Sequence, residues 1–529
     1  MKKWFGWSLA AVMISAMVLG GCSSKGDGGD NSGSTGNIGN SGGAEAAVDA
    51  SKLKPVKLRM FYPCGSGCTS PDFKQVQNEV NNYLKDKINA KLELNGIDWS
   101  AWFQKMPLLM QSGEQADLIF TAGWSNYNSD AAKGAFKPLD ELIDQYGSDM
   151  KAQMNPLYLE VPRVKGKLYA VPVEKEIAGV GMMAMQQDIV DKYKFDYKNL
   201  KSMEDMEPML ETIKKNEPGL VPFYVGGDNG SFFTTKEQLA NNHRYTNIIG
   251  GPGAGKFPVI MFDSKDKKMV NYLETPEYTS MFKLLNKWYK LGYINRDSAT
   301  QKDALDEAAR QGKTWFVFTS SKPDSESDLS ASMGRKYVRA EVNGPPVIDT
   351  DSVEAAMMAI GRNCKDPERA MMVINLLHKD KHLLNLLNFG IEGKNYEKVS
   401  DGVIKLPAGK KNMEEAGYDP GTDWMFGNQF NNFIFDTNNP KKWELYKKYN
   451  ETAVESPLLG FYFDSTPVKT EVAAVSSVMD EFNKLLLSGS MEPESQIKKY
   501  NDKLKANKLD KIIAEAQKQY DEWVASKNK

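Results

Sequence analysis

Glu174 and Glu176 stand two residues apart, a carboxylate pair of the kind that can serve as acid and base around a glycosidic bond. Asp423, next to Trp424, sets another carboxyl beside a flat apolar face. With 69 acidic residues in a chain of 529, such pairs arise by chance, and the signal has little specificity. His378 and His382 are four apart, which on one helix would share a face. A zinc protease needs a glutamate after the first histidine, and here the interval is Lys379-Asp380-Lys381. Asp380 can also cap a new helix and separate the rings, so both histidines are expected on the surface. Gly250 to Lys256 has the outline of a phosphate loop, but Phe257 and Pro258 stand where a hydroxyl residue and a helix start are required. That leaves a flexible glycine-rich loop. His243 has no partner nearby for a nucleophilic triad, and Asp263 to Asp266 is too sparse for an EF-hand loop.

The cysteines divide into three settings. Cys64-Gly65-Ser66-Gly67-Cys68 suits either a small disulfide or two free thiols, and the spacing is not that of a metal or redox pair. Cys364 is left over, as a buried thiol. Cys22 ends a different pattern: Lys2 and Lys3, an apolar run from Trp4 to Leu19, then Gly20 and Gly21. A charged start, a short apolar middle and small closing residues describe a secretory signal peptide over residues 1–21. The run is shorter than the roughly 20 residues of a comfortable membrane span. Leu19-Gly20-Gly21-Cys22 resembles the lipobox of bacterial lipoproteins, which implies cleavage before Cys22 and lipid on its thiol. Residues 22–51 are Gly, Ser, Asn and Asp with few apolar side chains, a flexible tether. The mature chain is thus expected outside the cytoplasm, lipid-anchored to the cytoplasmic membrane, with no transmembrane helix.

The rest must position these groups. Hydrophobic content is 41%, charged content 26% and net charge −2, which is ordinary globular composition with no basic stripe for nucleic acid. Val56, Leu58 and Met60 alternate as a strand, and a helix comes next, capped by Ser70 and Pro71. Leu92 and Leu94 give a second strand, Trp102 to Leu109 a helix kinked or interrupted at Pro107, and Ala116 to Phe120 a third strand. That order implies a parallel sheet with ligand beyond the carboxyl ends of the strands. The loops there are Tyr62 to Ser70, Asp98-Trp99, and Thr121 to Tyr127. Further on, Thr275-Pro276 opens a helix stopped at Gly292, Trp315 to Phe318 is a strand, Asp366-Pro367 opens a helix through Leu377, and Val472 to Trp523 is helical. The α/β chain is expected to hold a first lobe over 52–177, a second over 178–390, and a mostly helical region, 391–529, returning to the first. Several of the ten tryptophans lie in loops, which suits a ligand with flat apolar faces such as a sugar. Trp288 and Trp315 lie in periodic elements and are expected in the core.

Six stretches, in order, resemble the extracellular solute-binding lipoproteins of bacterial ABC importers, more narrowly the large LplA-type lipoproteins. They are Gly166–Glu174, Thr275–Asp297, Pro367–Leu377, Asn388–Val399, Met425–Phe430 and Ser456–Val475. The last begins what looks like that family's C-terminal domain of unassigned function. The resemblance implies a two-lobe, type II periplasmic-binding-protein fold that hinges over a solute and passes it to an ABC permease, with carbohydrate the usual class. In maltose-type binding proteins the segment similar to Leu168–Glu174 supplies a cleft carboxylate, which carries over to Glu174, with Glu176 as fallback. From the strand-end loops, Trp124 is a stacking platform, and Trp424, Asn428, Glu392 and Tyr62 complete the candidate site. No cofactor is called for, bound calcium is not readable, and the chain is expected to be a monomer. A surface glycoside hydrolase, a peptide-binding importer receptor and a sensor subunit for a membrane kinase are the alternatives.

Overall fold

A computed structural model describes residues 49–227, 244–252, 257–340 and 345–527. The lipobox with Cys22, the tether, His243 and much of the Gly250 to Lys256 loop lie outside the described residues. No helix among the described residues is long and apolar enough to cross a membrane.

The chain opens with β1 (Val56–Cys64), α1 (Phe73–Ile88), β2 (Ala90–Asp98), α2 (Trp99–Ser112), β3 (Leu118–Thr121) and β4 (Ala170–Pro172). It crosses to a second lobe through β5 (Ala178–Gln186), where α3 (Pro276–Lys290), β6 (Phe316–Ser321), α4 (Ser325–Met333) and β7 (Tyr337–Ala340) are found. It returns through β8 (Val347–Ile348) to β9 (Met357–Ile360), α5 (Pro367–Lys379), α6 (Lys381–Phe389) and α7 (Lys442–Glu451). A last crossing, β10 (Val454–Glu455), leads to α8 (Lys469–Leu487), α9 (Pro493–Ala506) and α10 (Leu509–Lys527).

The first sheet runs β2-β1-β3-β9-β4. Its first three strands are parallel as expected, but β9 enters antiparallel to β3 from far along the chain, a pairing that no local pattern announces. Helix α1 buries Val76, Val80, Leu84 and Ile88, one face at i, i+4 spacing. It begins at Asp72 with no side-chain cap rather than at Ser70. Buried Arg369 donates to the carbonyls of Lys54, Ile88 and Asn89 and so closes the helix's far end. Pro107 neither ends nor interrupts α2, which runs through to Gly113 in the left-handed region. In α3, Thr275 accepts from the Tyr278 amide and Pro276 takes the first position.

Two separate cores define the lobes. One joins Leu58, Leu118, Val171, Met357, Ile374 and Met425. The other joins Met185, Phe223, Trp288, Trp315, Phe461, Met479 and Ile512. The expected boundaries therefore need correcting. The second lobe's middle part ends at the β8 crossing and not near residue 390, and the last three helices pack on the second lobe, not the first. Helical periodicity shows that a face is buried but not which core covers it, and a two-residue crossover strand leaves no compositional mark.

The crossings form one hinge sheet. Val347 pairs with Gly179 and Val454, and Ile348 with Ala178 and Glu455. Asn450, at the end of α7, fastens it: its Oδ1 accepts from the amides of Ile177 and Ala178, at 3.0 and 3.1 Å, and its Nδ2 donates to Lys175 O at 3.0 Å. Thr350 ties the far side, its hydroxyl donating to Leu458 O and accepting from the Gly460 amide.

Candidate ligand-binding cleft

Three tryptophans converge at the carboxyl end of the first sheet. Trp99 opens α2 directly after β2, where Asp98 accepts from the Ser100 amide at 2.8 Å and fixes the turn. Trp124 comes just after β3 and is 45% exposed, its indole N–H donating to Ala355 O at 2.8 Å. Gly123 is required beside it, because a Cβ there would lie 2.8 Å from the Glu354 carboxylate. Trp424 comes from a distant loop and stacks on Trp99 with centroids 6.3 Å apart and planes 9° from parallel. Trp99 lies 5.9 Å from Trp124, and buried Phe120 supports Trp124 and Trp424 from 5.9 Å each. A half-exposed aromatic surface on a rigid base suits the apolar face of a pyranose.

A polar segment reaches the rings through Lys175. Glu174 accepts from Asn428 Nδ2 at 2.9 Å, and backbone bonds to Gly427 and Gln429 lock the two segments together. Burial pushes the Glu174 carboxyl up to about 7, with Lys447 opposing. Lys175 lies 5.7 Å above the Trp424 ring, a cation–π contact. Glu176 shares this lysine in an ion pair, with Lys322 at 2.7 Å and Lys175 at 3.9 Å. Burial pushes its carboxyl up, but the two lysines outweigh that and hold it below the usual value. Lys322 lies just after β6 of the second lobe, and Lys442 of α7 reaches Asp328 of α4 at 4.0 Å, so the two lobes meet here through charged side chains. Asp423 is open to solvent, yet the walls around it push its carboxyl up, as expected of a group set in a cleft.

Of the candidates read from the sequence, Trp124 and Trp424 come together around Trp99 and Phe120, and Glu174 and Asn428 bond to each other on a neighbouring segment. Tyr62 lies beneath the surface, 2% exposed and edge-on to Phe426 at 5.3 Å. Glu392 lies in an exposed turn that pairs with Tyr396, and no contact ties it to the rings. Glu176 is an inter-lobe strut. Trp99 is the residue that reasoning on single motifs passes over, although it lies in one of the strand-end loops. Lys322 carries no sequence signal, since only the fold brings it across. Cys64 and Cys68 are paired as a disulfide at the end of β1, where a Cβ on Gly96 would collide with the sulfurs.

The other constellations take structural roles. Asp380 accepts from the amides of His382 and Leu383 and starts α6, so the two histidines sit on different helices. His382 is exposed against Tyr83, but His378 is buried, contrary to expectation, and burial drives its pKa down to about 3. It closes the apolar face of α5, which a surface reading of a Lys-flanked histidine could not reveal. Asp263 pairs with Arg244 at 2.7 Å. Trp288 and Trp315 are fully buried, as their periodic settings imply. Among the described residues no group of three or more His, Cys, Asp or Glu is placed to hold a metal ion.

Comparison with known proteins agrees with this architecture. Residues 69–322 match the family described as bacterial extracellular solute-binding protein, and residues 457–525 match a domain of unknown function, DUF3502. The chain is 31% identical over 481 residues to a carbohydrate ABC transporter substrate-binding protein of Streptococcus pneumoniae, covering 90% of this chain and 92% of that one. The crystal structure of the N-glycan transport solute binding protein of S. pneumoniae superposes with a TM-score of 0.76 at 28% identity, over 90% of this chain and all of that one. An extracellular solute-binding protein from Bifidobacterium longum subsp. infantis shares the fold, with a TM-score of 0.63 at 17% identity, over 88% of this chain and 98% of that one. These relatives are binding proteins rather than enzymes. With two lobes joined by three crossings, and with that likeness running over nine-tenths of its length, the chain belongs to the extracellular solute-binding proteins of bacterial carbohydrate ABC transporters.

Proposed function

We propose that the chain captures an oligosaccharide on Trp99, Trp124 and Trp424, orients it through Glu174 and Asn428, and hands it to an ABC permease. The convergence of three indoles carries this reading, with the Glu174–Asn428 pair on the segment that Lys175 ties to Trp424. Mannose-containing glycans are the class to try first, because the S. pneumoniae relative has been crystallised with Man1GlcNAc and Man5GlcNAc. The pattern from Lys2 to Cys22 supports a lipid anchor on the outer face of the cytoplasmic membrane, with the body acting as a monomer on its tether. A solute preferring the closed arrangement would draw the lobes together about the hinge sheet.

The test is thermal unfolding against a panel of mannose-containing, gluco- and xylo-oligosaccharides and short peptides. A ligand of the native state raises the midpoint by mass action. The expected result is a rise with a glycan that is recovered intact. A glycan consumed during the assay points to an enzyme, and a response to peptides alone points to peptide uptake.

A further inference from the structure

The aromatic surface continues beyond the cleft. Phe103, 51% exposed on α2, meets Trp124 edge-on with centroids 6.2 Å apart. Trp124 stands 5.9 Å from Trp99, and Trp99 stands 6.3 Å from Trp424. Four rings thus succeed one another in nearly equal steps, from the loop that carries Trp424 out onto solvent-facing α2. A lone exposed phenylalanine needs no explanation. Phe103 lies off the buried stripe of Trp102 and Met106, and what distinguishes it is the edge contact that makes it continue a row of indoles.

Building on the glycan-receptor reading, we propose that the site is extended and open at the α2 end. A glycan's inner units lie on Trp424, Trp99 and Trp124, an outer unit lies on Phe103, and longer chains run on into solvent. Each pyranose offers an apolar face to a ring while its hydroxyls stay in water, so the outer step needs no polar pocket. Glycan length is read at Phe103, and the identity of the inner sugars is read beside Glu174.

The experiment is calorimetric titration of the full chain and of Phe103→Ala with matched short and long pairs: Man1GlcNAc with Man5GlcNAc, maltose with maltopentaose, and xylobiose with xylopentaose. For the pair that binds, the long member is expected to bind more tightly to the native chain. Phe103→Ala is expected to weaken the long member about five- to tenfold and leave the short one unchanged, since one aromatic contact is lost. Because Phe103 is exposed, the unfolding midpoint without ligand should not move. An unchanged long-glycan affinity in the variant overturns the proposal while the receptor reading stands, and so does equal weakening of both members. If no pair binds the native chain, the receptor reading itself fails and takes the extended site with it.

Discussion

Glu174, in the orienting role proposed for it, would tie glycan binding to pH. Its carboxyl titrates near 7 because burial disfavours the charge, with Lys447 opposing. The ionised form is the better acceptor for a sugar hydroxyl, so glycan affinity should rise with pH through that value. Between pH 6 and pH 8 the expected gain is about tenfold, in step with the ionised fraction. Glu174→Gln, which keeps an acceptor but does not titrate, should flatten the profile. A native profile already flat over that range would remove Glu174 from the contact. The same raised pKa works against the empty fold: the stability it contributes is full below the ordinary carboxylate value and fades as pH rises through 7. Glu174 is legible in the sequence because a family segment and a strand end coincide there. The burial of Tyr62 is not, because period-two alternation cannot tell which face of β1 turns to the cleft and which to the core.

At the scale of elements, the crossing through β8 does more than connect the lobes. It runs into Glu354 and Ala355, which accept from the Gly123 amide at 2.9 Å and from the Trp124 indole at 2.8 Å. The crossover therefore holds the loop that presents an aromatic platform. The Glu354 side chain is 1% exposed, accepts from Asn128 at 2.8 Å, and is pushed up to about 8, mainly by burial and also by neighbouring Asp351. A raised carboxyl stabilises the fold below its unfolded value and loses that contribution as pH rises through the folded one. The ligand-free melting midpoint should fall from pH 5 to pH 9. Glu354→Gln should fall less and stand above the native chain at the alkaline end. Parallel curves for the two proteins would contradict this. None of it is legible in the sequence, since a two-residue strand and a buried glutamate both look like ordinary loop.

At the scale of the molecule, the α/β character, the early β-α-β-α-β order and most helices can be read from periodicity and caps, as Thr275-Pro276 and Asp380 illustrate. The destination of each segment cannot. Met357–Ile360 is a short apolar run that sequence leaves unplaced, yet it completes the first sheet between β3 and β4. The last three helices are legible as amphipathic but not as part of the second lobe, because the apolar stripe of Val475, Met479 and Leu486 would fit any core of suitable size. The two cores are built independently and joined by three strands, with charged contacts such as Glu176–Lys322 at the seam. Buried ion pairs of this kind contribute little net stability, which suits a joint that must open.

The central claim is that a glycan lies on the tryptophan surface of the first lobe and leaves unchanged. The most direct measurement is calorimetric titration of the full chain and of Trp424→Ala at pH 8 with Man5GlcNAc and the other long glycans, with mass analysis of the recovered sugar. The account expects one-site binding, a sugar of unaltered mass, and an affinity loss of about tenfold or more in the variant, as for a central aromatic anchor. Undiminished binding in Trp424→Ala, or a sugar shortened during the titration, would contradict it.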